Sequence, residues 1–237
     1  MARLFDRDMF IMLLTIMIGV VIITYFIADI QARSQEKEKY TKEISIIESK
    51  NLNFTSRFLS SIGDLDRGRK YITSGNYYFD MALIWYNNAL IESNISKMYY
   101  YVNSTITYCE DAIVNFNYSM YNFKVASVKF QDTLSYSIED YFKLVDLYVN
   151  LSDSGDRLSS LRLNASYYLK YLAENITIKN GTISFDNNVT DIQDLFNSTL
   201  DEYNSEMEIY DELEGKIEKE YNIIGFSEDR TEIILEP

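Results

Sequence analysis

The chain has 237 residues, a net charge of −14, no histidine and one cysteine, Cys109. So acidic a chain lacks the basic face that phosphate binding needs, and we expect no nucleic-acid partner. Without histidine the usual general base and the commonest metal ligand are missing. A single cysteine excludes an intramolecular disulfide and a cysteine-type zinc site. We interpret Cys109 as a small buried apolar residue, with a reactive thiol as the alternative.

Turn-forming residues are scarce. The chain has one proline, Pro237, and eight glycines. Sandwiches and barrels need many turn residues, so this composition predicts an all-α fold. About 200 residues follow the first thirty or so, which is enough for one domain with its own core.

Residues 9–28, MFIMLLTIMIGVVIITYFIA, form an uncharged apolar run. A helix of this length spans about 30 Å, the thickness of the hydrocarbon core of a bilayer. The sequence therefore predicts a transmembrane helix, with the lipid bilayer as its partner. A cleaved signal peptide is the rival interpretation, but its apolar region is normally only about 7–15 residues long and ends at a small-x-small site. Residues 1–8 are the predicted cytoplasmic N-terminus.

Two signals disagree about orientation. Two Lys or Arg residues precede the apolar run and four follow it closely, which favours a cytoplasmic C-terminal part. However, ten Asn-x-Ser/Thr sequons all lie after the run, where random placement of the chain's Asn, Ser and Thr residues would give about three. This excess indicates N-linked glycans and a C-terminal part outside the cell membrane. The alternative is an Asn- and Ser-rich composition without modification. The predicted glycosylation sites are Asn53, Asn94, Asn103, Asn117, Asn150, Asn164, Asn175, Asn180, Asn188 and Asn197.

The segment after the apolar run is rich in helix formers. We expect the membrane helix to continue as a helical stalk over 29–62. Gly63 and Asp64 form the first predicted break, followed by an extracellular α-helical domain at 63–225 and a tail at 226–237.

Residues 64–93 carry a family resemblance. Ala82, Tyr86, Ala89 and Leu90 resemble the second helix of a tetratricopeptide repeat, and residues 68–77 are similar to its first helix and turn. In that family small residues let paired helices approach closely, so the resemblance implies a helical hairpin here. The predicted turn between residues 75 and 82 is about two residues longer than in the family. A generic antiparallel helical hairpin is the alternative.

The remaining elements follow from apolar periodicity. Helices are predicted over 95–133 and 134–151, a loop at SDSGD (152–156) and another helix of about 18 residues from Leu158. Residues 175–189 indicate a small β-hairpin or ordered loop, and a long helix runs from Thr190 to about 224. These elements predict an antiparallel helical bundle or hairpin array.

No stretch displays a chemistry. Residues 201–220 carry nine acids without EF-hand spacing, so we interpret them as the solvated face of a helix rather than a Ca²⁺ site. We expect no catalytic, cofactor or metal-binding residues, and no enzymatic activity. Three consecutive tyrosines, Tyr99, Tyr100 and Tyr101, cannot all face one core, and they are the best candidates for a partner-binding surface.

The sequence thus favours a single-pass, glycosylated surface protein with a structural or protein-interaction role. It would serve as an accessory subunit of a cell-envelope or membrane complex, with a protein partner or a homo-oligomer. The Asn-, Ile- and Tyr-rich composition suggests an archaeal envelope. The alternative is a ligand-sensing ectodomain that signals through a partner protein.

Overall fold

The computed structural model describes residues 2–137, 139–179, 181–185 and 189–224, excepting the side chains of 2–30, 32, 139, 140 and 224. Four helices and one two-stranded antiparallel sheet make up the described residues. They are α1 (Ala2–Ile91), α2 (Ile95–Leu134), α3 (Glu139–Glu174), β1 (Ile176–Lys179), β2 (Thr182–Phe185) and α4 (Thr190–Ile224). The all-α class, the hairpin and the last helix are confirmed. The chain divides into two compact units, Met1–Leu52 and Asn53–Pro237.

The predicted membrane segment at 9–28 has a described backbone, which is part of α1, but undescribed side chains. Among the residues that the search could cover, no helix is long and apolar enough to cross a bilayer. The predicted tail at 226–237 lies outside the described residues.

Three predicted breaks are wrong, because the helices run through them. The backbone of α1 is helical across Gly63 and across residues 75–82, and α3 is helical across 152–156. A helical glycine costs only about 0.5–1 kcal/mol, and the hydroxyl of Ser152 is satisfied by the Tyr148 carbonyl at 2.8 Å. The first reversal lies instead at 92–94. The hairpin turn that the repeat resemblance implied is therefore absent at 75–82, and membership of the repeat family itself stays a prediction.

The second unit is an up-down-up-down four-helix bundle. In each pair of neighbouring helices, the contacting residues have rising numbers on one helix and falling numbers on the other, so the two helices are antiparallel. Between α1 and α2 the contacts join Gly68 to Phe123 and Gly75 to Phe116. The equivalent pairs are Ser119–Ser159 and Phe130–Tyr148 between α2 and α3, Ser154–Glu206 and Lys143–Glu220 between α3 and α4, and Asn76–Tyr203 and Arg69–Glu214 between α1 and α4.

The bundle core follows a strict alternation of three- and four-residue steps, which is the pattern of helices that pack nearly in line. The alternation is clearest in α2, where small residues separate large ones. Asn122 and Ser127 are buried beside the alternating series, which consists of Met98, Val102, Thr105, Cys109, Ala112, Phe116, Ser119, Phe123, Ala126, Phe130 and Thr133. Phe116 occupies the space beside Gly75 of α1, and Phe123 the space beside Gly68 of α1 and Gly155 of α3.

The β-hairpin connects α3 to α4. Its strands pair from Ile176 with Phe185 to Lys179 with Thr182. Gly181 has a φ of +77°, a left-handed conformation that glycine adopts without strain and that a tight hairpin turn requires. The hairpin lies at the end of the bundle where α1 turns into α2, since a Cβ added to Gly181 would lie 3.9 Å from the Ser93 carbonyl oxygen.

Candidate interaction surface

The three consecutive tyrosines occupy different environments, as predicted. Tyr99 and Tyr100 are more than half exposed, whereas Tyr101 is half-buried against α1. The ring of Trp85 lies 5.3 Å from that of Tyr101 and 5.8 Å from that of Tyr100. Successive helical residues are about 100° apart, so the run turns from the α1 contact out to solvent.

A row of exposed residues continues from Tyr100 along the solvent side of α2. It consists of Tyr100, Thr107, Val114, Tyr121 and Val128, at steps of seven residues, and we call it the α2 outer row. Its four apolar members are between 52% and 66% exposed. Over 28 residues the row extends about 42 Å. The face opposite a helix core is normally polar, so this row is an unusual feature.

A line of aromatic pairs borders the α2 outer row on the side of α1. Tyr71 contacts Tyr118, Tyr78 contacts Tyr108, and Trp85 contacts Tyr101, with centroid distances of 5.3–6.3 Å. The α1 members of these pairs again recur at steps of seven. Tyr118 is itself exposed and lies four residues from Val114 and three from Tyr121, so the border and the outer row meet in an exposed apolar patch around these three residues.

The sequon asparagines lie on the surface of the described residues. Seven of the eight that the structure describes are exposed, and Asn175 is half-buried. Asn180 and Asn188 lie outside the described residues. Asn103 and Asn117 flank the α2 outer row, since they lie within three or four residues of Tyr100, Val114 and Tyr121. The exposed sites are Asn53, Asn94, Asn103, Asn117, Asn150, Asn164 and Asn197.

The acidic stretch of α4 is only partly a solvated face. Glu206 accepts a hydrogen bond from Ser154 at 2.5 Å and forms a salt bridge with Arg157 at 3.0 Å, and its side chain is largely buried. Glu220, also buried, pairs with Lys143 at 2.5 Å. Each of these two acids lies three residues after a buried residue of α4, Glu206 after Tyr203 and Glu220 after Ile217, so both face the bundle and the prediction fails for them. The seven-residue spacing in the sequence was the signal that could have separated them from the exposed acids.

A polar cluster that the sequence did not reveal joins three helices. The guanidinium of Arg162 lies between the rings of Tyr203, at 4.0 Å, and Phe79, at 4.7 Å. Asn76 donates to the Tyr203 hydroxyl at 3.3 Å. Within the described part of the chain, Arg162 Nε and Asn76 Oδ1 have no hydrogen-bond partner. Cation–π attraction to the rings of Phe79 and Tyr203 thus stabilises the Arg162 guanidinium inside the bundle.

Cys109 is fully buried in the core, which confirms its interpretation as a small packing residue. Loss of solvation raises the pKa of its thiol to about 12. Over the residues that the structure describes, no three His, Cys, Asp or Glu side chains gather as metal ligands would.

An open groove of about 540 Å³ runs between α3 and α4. Its lining includes one cation, Arg157, and three carboxylates, Asp201, Glu202 and Glu206. In comparisons with protein-family models, with curated proteins and with solved structures, nothing matches this chain.

Proposed function

We propose that this chain is a non-enzymatic, single-pass, N-glycosylated surface protein that acts as a structural or protein-interaction module. Residues 9–28 anchor it in the membrane with residues 1–8 in the cytoplasm, and the bundle lies outside as an accessory subunit of a cell-envelope or membrane complex. The single observation that carries this proposal is the α2 outer row, which we assign as the docking face for a protein partner.

The composition and the spacing of the row support this role. Isolated exposed apolar residues are normal, but a continuous apolar surface marks interaction sites. Each square ångström of apolar surface removed from water contributes about 25 cal/mol, and tyrosine is enriched at interfaces. Residues seven apart recur along the contact between two helices that coil around each other. The partner is therefore an amphipathic helix with an apolar stripe of its own.

Co-purification from native membranes in mild detergent tests the docking face. We expect wild-type protein to bring down a defined partner, and a variant with Val114→Lys and Tyr121→Lys to lose it. Tyr167→Lys is the matched control, since Tyr167 is about as exposed but lies on α3. A partner that the row variant retains, or a lone monomer from wild-type membranes, would contradict the proposal.

The protein partner could be a second copy of the same chain, and exposed apolar residues in the unit Met1–Leu52 favour such self-association. Tyr40, Ile44 and Ile47 are each more than half exposed. Their spacing is in phase with the bundle-facing residues Phe54 and Phe58 further along α1. The next position in this series is Asn51, and a single asparagine at such a position sets register and oligomeric state in coiled coils.

Light scattering of the full-length protein in detergent tests self-association. Ile44→Lys together with Ile47→Lys should convert an oligomer to a monomer, because charges would enter the apolar seam. Ser45→Lys, on the same helix but outside the seam, should leave the mass unchanged. Equal masses for all three proteins would exclude this seam as the contact.

The alternative function, a ligand-sensing ectodomain, is favoured by the groove between α3 and α4. Its carboxylates outnumber its one arginine, so a small cationic ligand fits its charge. A thermal-shift screen with small amines, comparing wild type with Asp201→Asn, separates this function from the first. Stabilisation of the wild type that the variant lacks would support sensing, and none in either protein would count against it.

A further inference from the structure

We infer that five of the ten sequons, those at Asn103, Asn117, Asn150, Asn164 and Asn197, accept a glycan only while the chain is unfolded, before the bundle forms. This inference rests on the proposed glycosylation and concerns its order relative to folding. It comes from the opposite burial of the two residues that define each sequon.

In all five sequons the asparagine is exposed and the hydroxyl residue two positions later is buried. Four of these hydroxyl residues have no exposed surface and the fifth, Thr199, is 9% exposed. The buried residues are Thr105, Ser119, Ser152, Ser166 and Thr199. A sequon is defined by both side chains, so the transferase must contact both.

Helix geometry alone separates the two side chains. Residues two positions apart lie about 200° apart around an α-helix, on nearly opposite faces. An enzyme at the outer surface therefore reaches the asparagine but not the hydroxyl. The same geometry explains why the pattern occurs so often here, since an exposed asparagine places its partner residue in the bundle core.

The buried hydroxyls are also engaged. Ser119 donates to the Gly68 carbonyl at 2.9 Å and lies 2.8 Å from the Ser159 hydroxyl. Thr105 and Ser166 donate to carbonyls four residues earlier, at 2.9 and 2.8 Å. To present such a hydroxyl, the helix must open and leave the core, and core helices open only at a free energy close to that of global unfolding.

Asn94 provides a contrast within the same chain. It is the N-cap of α2, with an extended backbone (φ −86°, ψ 113°), and both Asn94 and Ser96 are exposed. Its side-chain oxygen accepts from the Lys97 amide at 3.2 Å, which leaves its amide nitrogen free of that cap contact. We expect this sequon to be accessible in both states.

The experiment compares folded and nascent protein with one oligosaccharyltransferase. Full-length protein is made unglycosylated, folded in mild detergent, and then incubated with the purified enzyme and its lipid-linked oligosaccharide. A second sample is translated directly into membranes that contain the same enzyme. Both carry an added flexible Asn-Gly-Thr tag after Pro237 as the enzyme control, and mass spectrometry measures occupancy site by site.

We expect the tag to be modified in both samples. The five helical sequons should be at least about tenfold less occupied in the folded sample, because the opened state is rare. Phe123→Ala, which loosens the core, should raise their occupancy in the folded sample. Occupancy equal to that of the tag in folded wild type would overturn the inference, as would unmodified sites in the translated sample. Neither result depends on whether the native protein carries glycans. Glycan occupancy of the native protein is a separate measurement, and it tests the proposed function.

Discussion

The ring of Phe123 lies directly against Gly155, so closely that a Cβ on residue 155 would come within 2.5 Å of a ring carbon. On its other side the ring faces Gly68, where an added Cβ would lie 2.9 Å away. The ring is 1% exposed. One phenylalanine thus joins α1, α2 and α3, and it can do so only because both neighbouring helices carry glycine.

Gly155→Ala tests this packing. We expect a loss of about 1–3 kcal/mol in the free energy of unfolding, because the new methyl group overpacks the core. Denaturant titration followed by circular dichroism measures it. Gly215→Ala is the control, since nothing lies within 4 Å of a Cβ there, and it should stabilise the protein by about 0.5–1 kcal/mol. Destabilisation of similar size in both variants would contradict the packing argument.

The pair Lys143–Glu220 provides a second stability prediction. Glu220 is 8% exposed at its side chain, so removing its cationic partner Lys143 leaves a buried carboxylate without that compensation. Lys143→Met should cost about 1–3 kcal/mol in urea unfolding. Lys216→Met removes an exposed pair with Glu212 and should cost less than about 0.5 kcal/mol. Equal losses would show that Glu220 does not need its partner.

Asp156 should make stability depend on pH. Loss of solvation raises the pKa of this carboxyl above its ordinary value of 3.8, and Lys124, 3.8 Å away, offsets part of the increase. The folded state therefore binds the proton of Asp156 more tightly than the unfolded state does. The free energy of unfolding falls as the pH rises from the ordinary pKa of 3.8 to the higher pKa of the folded state. Asp156→Asn should raise the melting temperature at pH 7, and the gain should vanish below pH 3.8. A higher melting temperature of the variant that persists below pH 3.8 would show that titration of Asp156 is not the cause.

Cys109 should be chemically inert in the folded protein. With its pKa raised to about 12, the reactive thiolate is scarce at pH 8. We expect iodoacetamide to label the native protein at least about a thousandfold more slowly than the protein in urea. Glutathione in the same native buffer controls for reagent activity. Labelling at the rate of the unfolded chain would show that the thiol is accessible.

The sequence predicted those features that depend on composition and local periodicity. Scarce turn residues indicated the all-α class, and the positive-φ glycine at 181 matches the predicted hairpin. The loop at 152–156 and the turn after Gly75 were wrong for one reason. Gly75 and Gly155 lie at these predicted breaks, but in the bundle each leaves room for an aromatic ring, a tertiary effect that local sequence patterns do not contain.

The α2 outer row was only partly visible in the sequence. The sequence indicates Tyr100 as a surface residue, because three adjacent tyrosines cannot share one face of a helix. The row itself emerges only once the core register of α2 is known, since Val114 and Tyr121 could equally have belonged to a core stripe. Likewise, the opposite burial of asparagine and hydroxyl in the five helical sequons follows from the core registers of α2, α3 and α4.

The central claim is that the bundle is a glycosylated surface module, and glycopeptide mass spectrometry of protein from its native membranes tests it most directly. The account predicts N-linked glycans on the exposed sequon asparagines, including Asn103 and Asn117 beside the α2 outer row. Unmodified peptides covering all ten sequons would contradict the claim.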